Sequence, residues 1–363
     1  MFALAKRRAH RIIRFVKEQT GFELDCFLFS VEGRIRSSLS TRRVTKQGAP
    51  LRVLAHVNKA TTHSRGGAEK SLFSLLRYLH DHGCEVRVLA GKKSTVGVHL
   101  GINVEFYEKP QRRRELYEWS DIILTQLGWA KDAAKFAMRY GRPWVHFIRD
   151  AREAPQRGSP DLVVFNSRSG WSRSKWRGQS MVLYPPISRG DYKTEKGDAV
   201  LLVNLSDFKG GHVFYELADA LPTHKFVGCI GGWGEQIVPK VLPPNVSLVQ
   251  PCDDMRQVYS RARIVIMPSV NESFGRVAVE AGCSGIPVIG SPVDGLKEVL
   301  GADGLFADRS DLKQWIDHIL ELDDPQRYQE ASQYALERAE CFTGGSSMAE
   351  FLKRIQHIVL ERK

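Results

Sequence analysis

The sequence has no Cys-x-x-Cys pair; its six cysteines stand apart at positions 26, 84, 229, 252, 283 and 341. That scatter argues against a disulfide framework and against a thiolate zinc site, and leaves buried reduced thiols as the expectation. No apolar run approaches the ~20 residues that a membrane-crossing helix needs. The basic start MFALAKRRAHRIIRFVK is not followed by a continuous apolar segment with a small-residue cleavage site, so no secretory leader is expected and a cytoplasmic protein is the default. Acidic residues are sparse before residue 50, so much of the net charge of +12 falls in a basic N-terminal extension, residues 1–50. Further basic clusters are Arg112-Arg113-Arg114 and the stretch from Arg173 to Arg177. Such a surface suits an anionic membrane leaflet, a nucleic acid, an anionic acceptor or solubility alone, and composition does not choose among them.

What is present is the balance of a folded protein, 42% hydrophobic and 26% charged, over 363 residues, enough for two ordinary domains. Residues 2–17 place Phe2, Ala5, Ala9, Ile12, Ile13 and Val16 on one side of a helix and Lys6, Arg7, Arg11, Arg14 and Lys17 around it. That pattern fits an amphipathic helix on an anionic membrane, through residues 1–20, and equally a helix packed on the body of the protein. From Leu51 onward short β-type runs alternate with helical patterns: LRVLAHV, then a polar loop HSRGGAEKS, then SLFSLLRYLHDHG; EVRVLAG; DIILTQL; WVHFIRD; DLVVFNS. The segment YPPISRGDYKTEKGD reads as a linker, after which the alternation restarts with AVLLVNL, KFVGCIG, VSLVQP and RIVIMPS and ends in three helical segments. This order implies two α/β halves, each a parallel sheet covered on both faces, with ligands at the carboxyl ends of the strands.

The stretch PSVNESFGRVAVEAGCSGIPVI carries Glu272 and Glu280, eight positions apart. A helix beginning near Ser273 would place such residues ~12 Å apart along its axis and rotated by about 80°. Its amino end would offer free backbone N–H groups to an anion. One extended ligand with hydroxyls at both ends and negative charge between would then meet both carboxylates, as a nucleotide-sugar does. The bland alternative is one acidic residue favoured by the helix dipole and a second facing solvent.

Here the sequence resembles the retaining glycosyltransferases of family 4. The resemblance runs from about Leu51 to Val299 and is carried by PSVNESFGRVAVEAGCSGIPVIGSPVDGLKEVL, with RGGAEKSL, VVFNS followed by VLYPPIS, and DFKGGHVFYELADAL in support. It implies the α/β GT-B fold, two Rossmann-like domains facing across a cleft with a C-terminal helical segment. The corresponding division is an acceptor-side domain at residues 51–190, a donor domain at residues 191–345 and a C-terminal helix at residues 346–363. By the same resemblance Glu272 contacts the transferred sugar and Glu280 the ribose, and the amides of Ser273, Phe274 and Gly275 lie beside sugar and diphosphate. Lys209 holds the diphosphate, and Gly66 and Gly67 close over the phosphates from the opposite domain. The family usually has an arginine where this chain has Asn204, so the second cation on the phosphates is missing or comes from elsewhere. Where the family often shows His-Asp, WVHFIRD offers Arg149 and Asp150; Arg149 would reach sugar or phosphate, or pair with Asp150, while His146 reads as a core residue. No Asp-x-Asp triplet occurs, so a metal-bridged diphosphate is not expected; by the resemblance the nucleotide-sugar is a substrate and no cofactor is expected.

The implied reaction moves a sugar from a nucleotide-sugar donor to an acceptor hydroxyl, with retention. The expected acceptor is an envelope glycan or its lipid-linked precursor, taken at the inner face of the membrane by a cytoplasmic or peripheral enzyme. Two other readings remain open: a nucleotide-sugar hydrolase or epimerase of the same fold, and a nucleic-acid role, including glycosylation of modified DNA bases. The +12 charge and Trp171 and Trp176 among arginines support the second.

Overall fold

The computed structural model describes residues 49–57, 66–90, 98–99, 101–106, 110–150, 160–231, 234–250, 252–344 and 346–362. The amphipathic helix expected at residues 2–17, and with it the membrane contact expected of residues 1–20, lies outside them. Among the described residues no helix is long and apolar enough to cross a membrane.

Strand β1 (Arg52–Val57) founds the first sheet, because five consecutive side chains are buried, as a strand covered on both faces requires. It is followed by α1 (Gly67–Asp81), β2 (Glu85–Ala90), β3 (Val98–His99), β4 (Ile102–Phe106), α2 (Pro110–Trp119), β5 (Ile122–Gln126), α3 (Ala130–Arg139), β6 (Trp144–Ile148), β7 (Leu162–Phe165), α4 (Arg168–Arg173) and β8 (Ser180–Val182). The sheet order is β3-β4-β2-β1-β5-β6-β7-β8, parallel except for the short edge strand β3. Helix α1 starts at Gly67, inside what the sequence suggests is a polar loop. Its apolar residues Leu72, Phe73, Leu75, Leu76 and Leu79 cover one face of the sheet, while Leu116, Tyr117, Ala133, Ala134 and Ala137 cover the other.

The second lobe contains β9 (Ala199–Val203), α5 (Gly211–Ala220), β10 (Lys225–Cys229), β11 (Val246–Val249), α6 (Arg256–Tyr259), β12 (Ala262–Met267), α7 (Arg276–Gly282), β13 (Val288–Gly290), α8 (Asp294–Leu300), β14 (Leu305–Phe306), α9 (Leu312–Glu321) and α10 (Pro325–Thr343). Its order, β11-β10-β9-β12-β13-β14, is that of the dinucleotide-binding sheet. The chain crosses between lobes after β8: Leu183 packs in the first core, whereas Ile187 and Tyr192 already belong to the second. It crosses back at the end. Helix α11 (Ser346–Glu361) buries Phe351, Ile355, Ile358 and Val359 in the core of the first lobe. Each large apolar side chain fully buried there contributes about 1.5–3 kcal/mol, which holds the returning helix. Arg354 adds a 2.6 Å hydrogen bond from Nη2 to Gln179 Oε1.

The first core also contains a titratable group. His56 in β1 is fully buried, with Nδ1 2.6 Å from the Tyr117 hydroxyl, and burial together with the nearby Arg113 charge depresses its pKa from 6.5 to about 3. The folded protein therefore keeps this imidazole neutral while the unfolded chain protonates it below pH 6.5. Its stabilising contribution is intact above pH 6.5 and is lost as the pH falls toward 3, amounting to about 2 kcal/mol at pH 5. Chemical denaturation of the parent and of His56→Gln at pH 7 and pH 5 checks this: the variant should lose about 2 kcal/mol less between the two values.

Candidate active site

Strands β9 and β12 are neighbours in the second sheet, yet the chain continues from β9 to one side and from β12 to the other. The loops at their carboxyl ends part, and a crevice opens between them where α/β sheets take ligands. The β9 loop turns at Asn204, whose φ of 75° is left-handed. Its Oδ1 accepts hydrogen bonds from Ser206 N at 3.0 Å and Gln236 Nε2 at 2.9 Å, so Asn204 is built into the loop. A single 3-10 turn, Asp207–Lys209, then brings Lys209 Nζ onto Glu272 Oε1, which arrives from the β12 loop. Ser269 Oγ donates to the same carboxylate oxygen at 2.9 Å. The paired side chains are 18% and 12% exposed, so the pair is sheltered and still open to a ligand.

Helix α7 begins at Arg276 rather than near Ser273. Gly275 has φ 97°, a conformation no helix continues, and Phe274 turns inward against Tyr184 and Phe342, with ring centroids at 5.5 and 5.3 Å. Glu272 therefore precedes the helix, and the expected placement of both carboxylates along one helix axis does not hold. Glu280 lies one turn into α7 and is buried. The Tyr259 hydroxyl donates to its Oε2 at 2.8 Å, and Arg276 Nε donates to its Oε1 at 2.9 Å. Burial and the Glu280 charge hold the Tyr259 phenol well above its ordinary pKa, so it remains a donor.

On the facing lobe Gly66 is extended and Gly67 is the first residue of α1. A Cβ at Gly67 would lie 3.0 Å from Arg276 Cδ, which places this turn directly against α7 across the gap. A Cβ at Gly66 would collide with the Glu69 carboxylate at 2.1 Å. Arg149 lies at the carboxyl end of β6, 9% exposed, donating from Nε to Gln126 Oε1 at 3.0 Å with its guanidinium 4.8 Å from the Phe147 ring centre. Asp150 is the next residue and His146 is fully buried within β6. Among the described residues, Leu127 (φ 56°) and Asn204 are the two non-glycines with positive φ, and each directly follows a strand beside the switch point of its sheet. Such backbone costs about 1–3 kcal/mol per residue and concentrates at functional edges. Among the described residues no group of three or more His, Cys, Asp or Glu could hold a metal ion.

The sequence reading gives no role to four residues that contribute here: Ser269, Arg276 and Glu298, which lie inside the quoted motif, and Tyr259, which lies outside it. Arg276 leaves a trace, as a lone cation in an apolar run four residues before Glu280. Glu298 accepts the backbone N–H groups of Arg168 and Ser169 at 2.8 Å each and the Tyr184 hydroxyl at 2.8 Å, fastening α8 to the start of α4 in the other lobe. Burial first, and Glu298 second, push the Tyr184 phenol up to about 12.

The family described as "Glycosyl transferases group 1" matches residues 202–324, the part of the chain that carries Lys209, Glu272 and Glu280. Over 82 residues the chain is 40% identical to a D-inositol 3-phosphate glycosyltransferase of Corynebacterium urealyticum, a match covering 22% of this chain and 19% of that protein. A D-inositol 3-phosphate glycosyltransferase of Corynebacterium diphtheriae is 39% identical over 110 residues, 29% of this chain and 25% of its own length. The matches thus span a quarter or less of these curated relatives. Among solved structures, Anabaena HepE in complex with UDP-glucose has a TM-score of 0.72 at 19% identity, covering 83% of this chain and 99% of that one. Sucrose-phosphate synthase from Thermosynechococcus elongatus has a TM-score of 0.67 at 15% identity, covering 86% and 100%. The architecture is the GT-B fold, as the two facing parallel sheets and the returning helix indicate.

The backbone at Gly275 makes one expectation sharp. A methyl group there would lie 2.7 Å from Leu296 Cδ2 in addition to the strained φ. Gly275→Ala should lower stability by about 1–3 kcal/mol, read as a shift of the denaturation midpoint.

Proposed function

We propose that this protein is a retaining glycosyltransferase that moves a sugar from a nucleotide-sugar donor to an acceptor hydroxyl without a bound metal. The observation that carries the reading is the Lys209–Glu272 pair at the crevice between β9 and β12. Free of ligand, each charge shelters the other. A diphosphate entering the crevice draws the ammonium away, and the released carboxylate accepts hydrogen bonds from the sugar hydroxyls. Glu280, one turn into α7, receives the ribose hydroxyls, and the amides of Ser273, Phe274 and Gly275 lie beside the diphosphate. Gly66 and Gly67 close over it from the first lobe, with Arg149 and Asp150 on the acceptor side. Asn204 shapes the β9 loop in the place of the family's arginine.

The chemistry follows from these placements. The bond between the anomeric carbon and the diphosphate oxygen breaks, and a bond to the acceptor oxygen forms on the same face. The acceptor proton passes to the departing phosphate, while Lys209 offsets the charge that develops there. The group 1 match over residues 202–324 and the D-inositol 3-phosphate glycosyltransferase relatives support transfer over hydrolysis or epimerisation. For the acceptor we propose an envelope glycan or its lipid-linked precursor, met at the inner membrane face through the basic extension. That extension supports the nucleic-acid reading equally, whereas the crevice favours the sugar.

The test is turnover across a panel of nucleotide-sugars, with nucleotide release followed with and without acceptor. Lys209→Ala and Glu272→Ala should each lower kcat by about 10²–10³ without unfolding the protein. Rates near those of the parent would remove both assignments, and nucleotide release that ignores acceptor would make the enzyme a hydrolase.

A further inference from the structure

Beyond its bond to Glu280, Arg276 makes three further contacts in the gap between the lobes. It opens α7, and its side chain is 12% exposed. Nε donates to Glu280 Oε1 at 2.9 Å. Nη2 donates to the Tyr192 hydroxyl at 3.0 Å, in the linker between lobes. Nη1 donates to Ser71 Oγ at 3.0 Å, on α1 of the first lobe, and lies 3.4 Å from the Pro186 carbonyl oxygen. Ser71 Oγ donates onward to the Gly67 carbonyl at 2.6 Å. One rigid fork thus touches the donor-side carboxylate, the linker and the opposite lobe together, which an ammonium on a flexible stem cannot do. Position 67 is fitted to it: a Cβ there would press on Arg276 Cδ at 3.0 Å. The glycine of the first-lobe turn makes room for this arginine whatever it does for a phosphate.

We propose that Arg276 is a positioning residue that couples closure of the lobes to the orientation of Glu280, through Ser71 and the Gly66–Gly67 turn. With the lobes together the fork is filled and Glu280 Oε1 is held in one direction. With the lobes apart the Ser71 contact is lost, and the guanidinium and its carboxylate gain freedom together. Donor affinity and lobe closure therefore become two readings of one equilibrium. The donor half of this inference rests on Glu280 as the acceptor for ribose hydroxyls; the coupling half stands on the contacts alone.

Hydrogen exchange of the ligand-free protein reads the coupling half. Arg276→Leu and Ser71→Ala should each speed exchange of the amides in the first turns of α1, residues 67–75, by about tenfold, with strands β1 and β2 unchanged. Arg276→Lys should keep the parent's melting temperature and still show the fast exchange, because it preserves charge and loses the fork. Parent-like protection in Ser71→Ala, or full protection in Arg276→Lys, would overturn the latch, and these two variants decide the matter if Arg276→Leu does not fold. Calorimetric titration with UDP, GDP and ADP reads the donor half. Arg276→Leu should weaken the nucleotide that binds by about tenfold and Ser71→Ala by about threefold (on the scale of 1.4 kcal/mol per tenfold), with kcat at saturating donor changed less than KM. Unchanged affinity in both variants would overturn the coupling to Glu280. Failure of the parent to bind any of the three nucleotides would instead overturn the nucleotide-sugar reading, and the exchange experiment would still judge the latch.

Discussion

Everything in the site follows from one topological constraint. The chain runs from β9 toward one edge of the second sheet and from β12 toward the other, so two hydrogen-bonded strands end in loops that cannot cover each other. A crevice is left at that seam, and the loop residues lining it are brought together across 63 positions of sequence. Lys209 and Glu272 meet there as an ion pair, which keeps two charges in a half-buried place without leaving either uncompensated. In the function proposed above, the pair would meet a ligand that is anionic at one point and rich in hydroxyls at the next.

The second requirement is that the opposite lobe be held where it can close the crevice, and three devices do this. The chain crosses back so that α11 seats Phe351 and Ile355 in the first core. Glu298 satisfies the backbone N–H groups that open α4 in the facing lobe. Arg276 reaches Ser71 from the start of α7. The apolar seat is indifferent to what occupies the cleft, while the two polar fastenings lie on α7, the helix that follows the β12 loop, and on α8, the next helix.

The fold was legible because its strands are buried on both faces and so read as continuous apolar runs; LRVLAHV, DIILTQL and RIVIMPS all became central strands. The two-residue strands β3 and β14 lacked the length to leave such a signal. The helix starts were misplaced in both directions for local reasons. Helix α1 begins at Gly67 because it is anchored by its apolar face and not by a sequence cap: Gly66 provides no side-chain hydrogen bond. Helix α7 begins late because Gly275 adopts a left-handed backbone that its place after Ser-Phe does not announce. Glu272 and Glu280 could be named through motif spacing and resemblance and Lys209 through resemblance alone, and the structure brings Lys209 and Glu272 together. Ser269 and Glu298 stand in the quoted motif without a role that the sequence assigns, and Tyr259, which acts on Glu280, 21 positions away, leaves no sequence signal. The basic extension was legible as charge and an amphipathic pattern, and its residues 1–48 lie outside the described ones.

The place where a nucleoside diphosphate settles decides the role of the Lys209–Glu272 pair. A crystal structure of the protein soaked with the nucleotide that binds best measures this directly. The account predicts Lys209 Nζ released from Glu272 and within hydrogen-bonding distance of a phosphate oxygen, with a Glu280 oxygen on the ribose. A nucleotide bound elsewhere, with the Lys209–Glu272 pair intact, would contradict it.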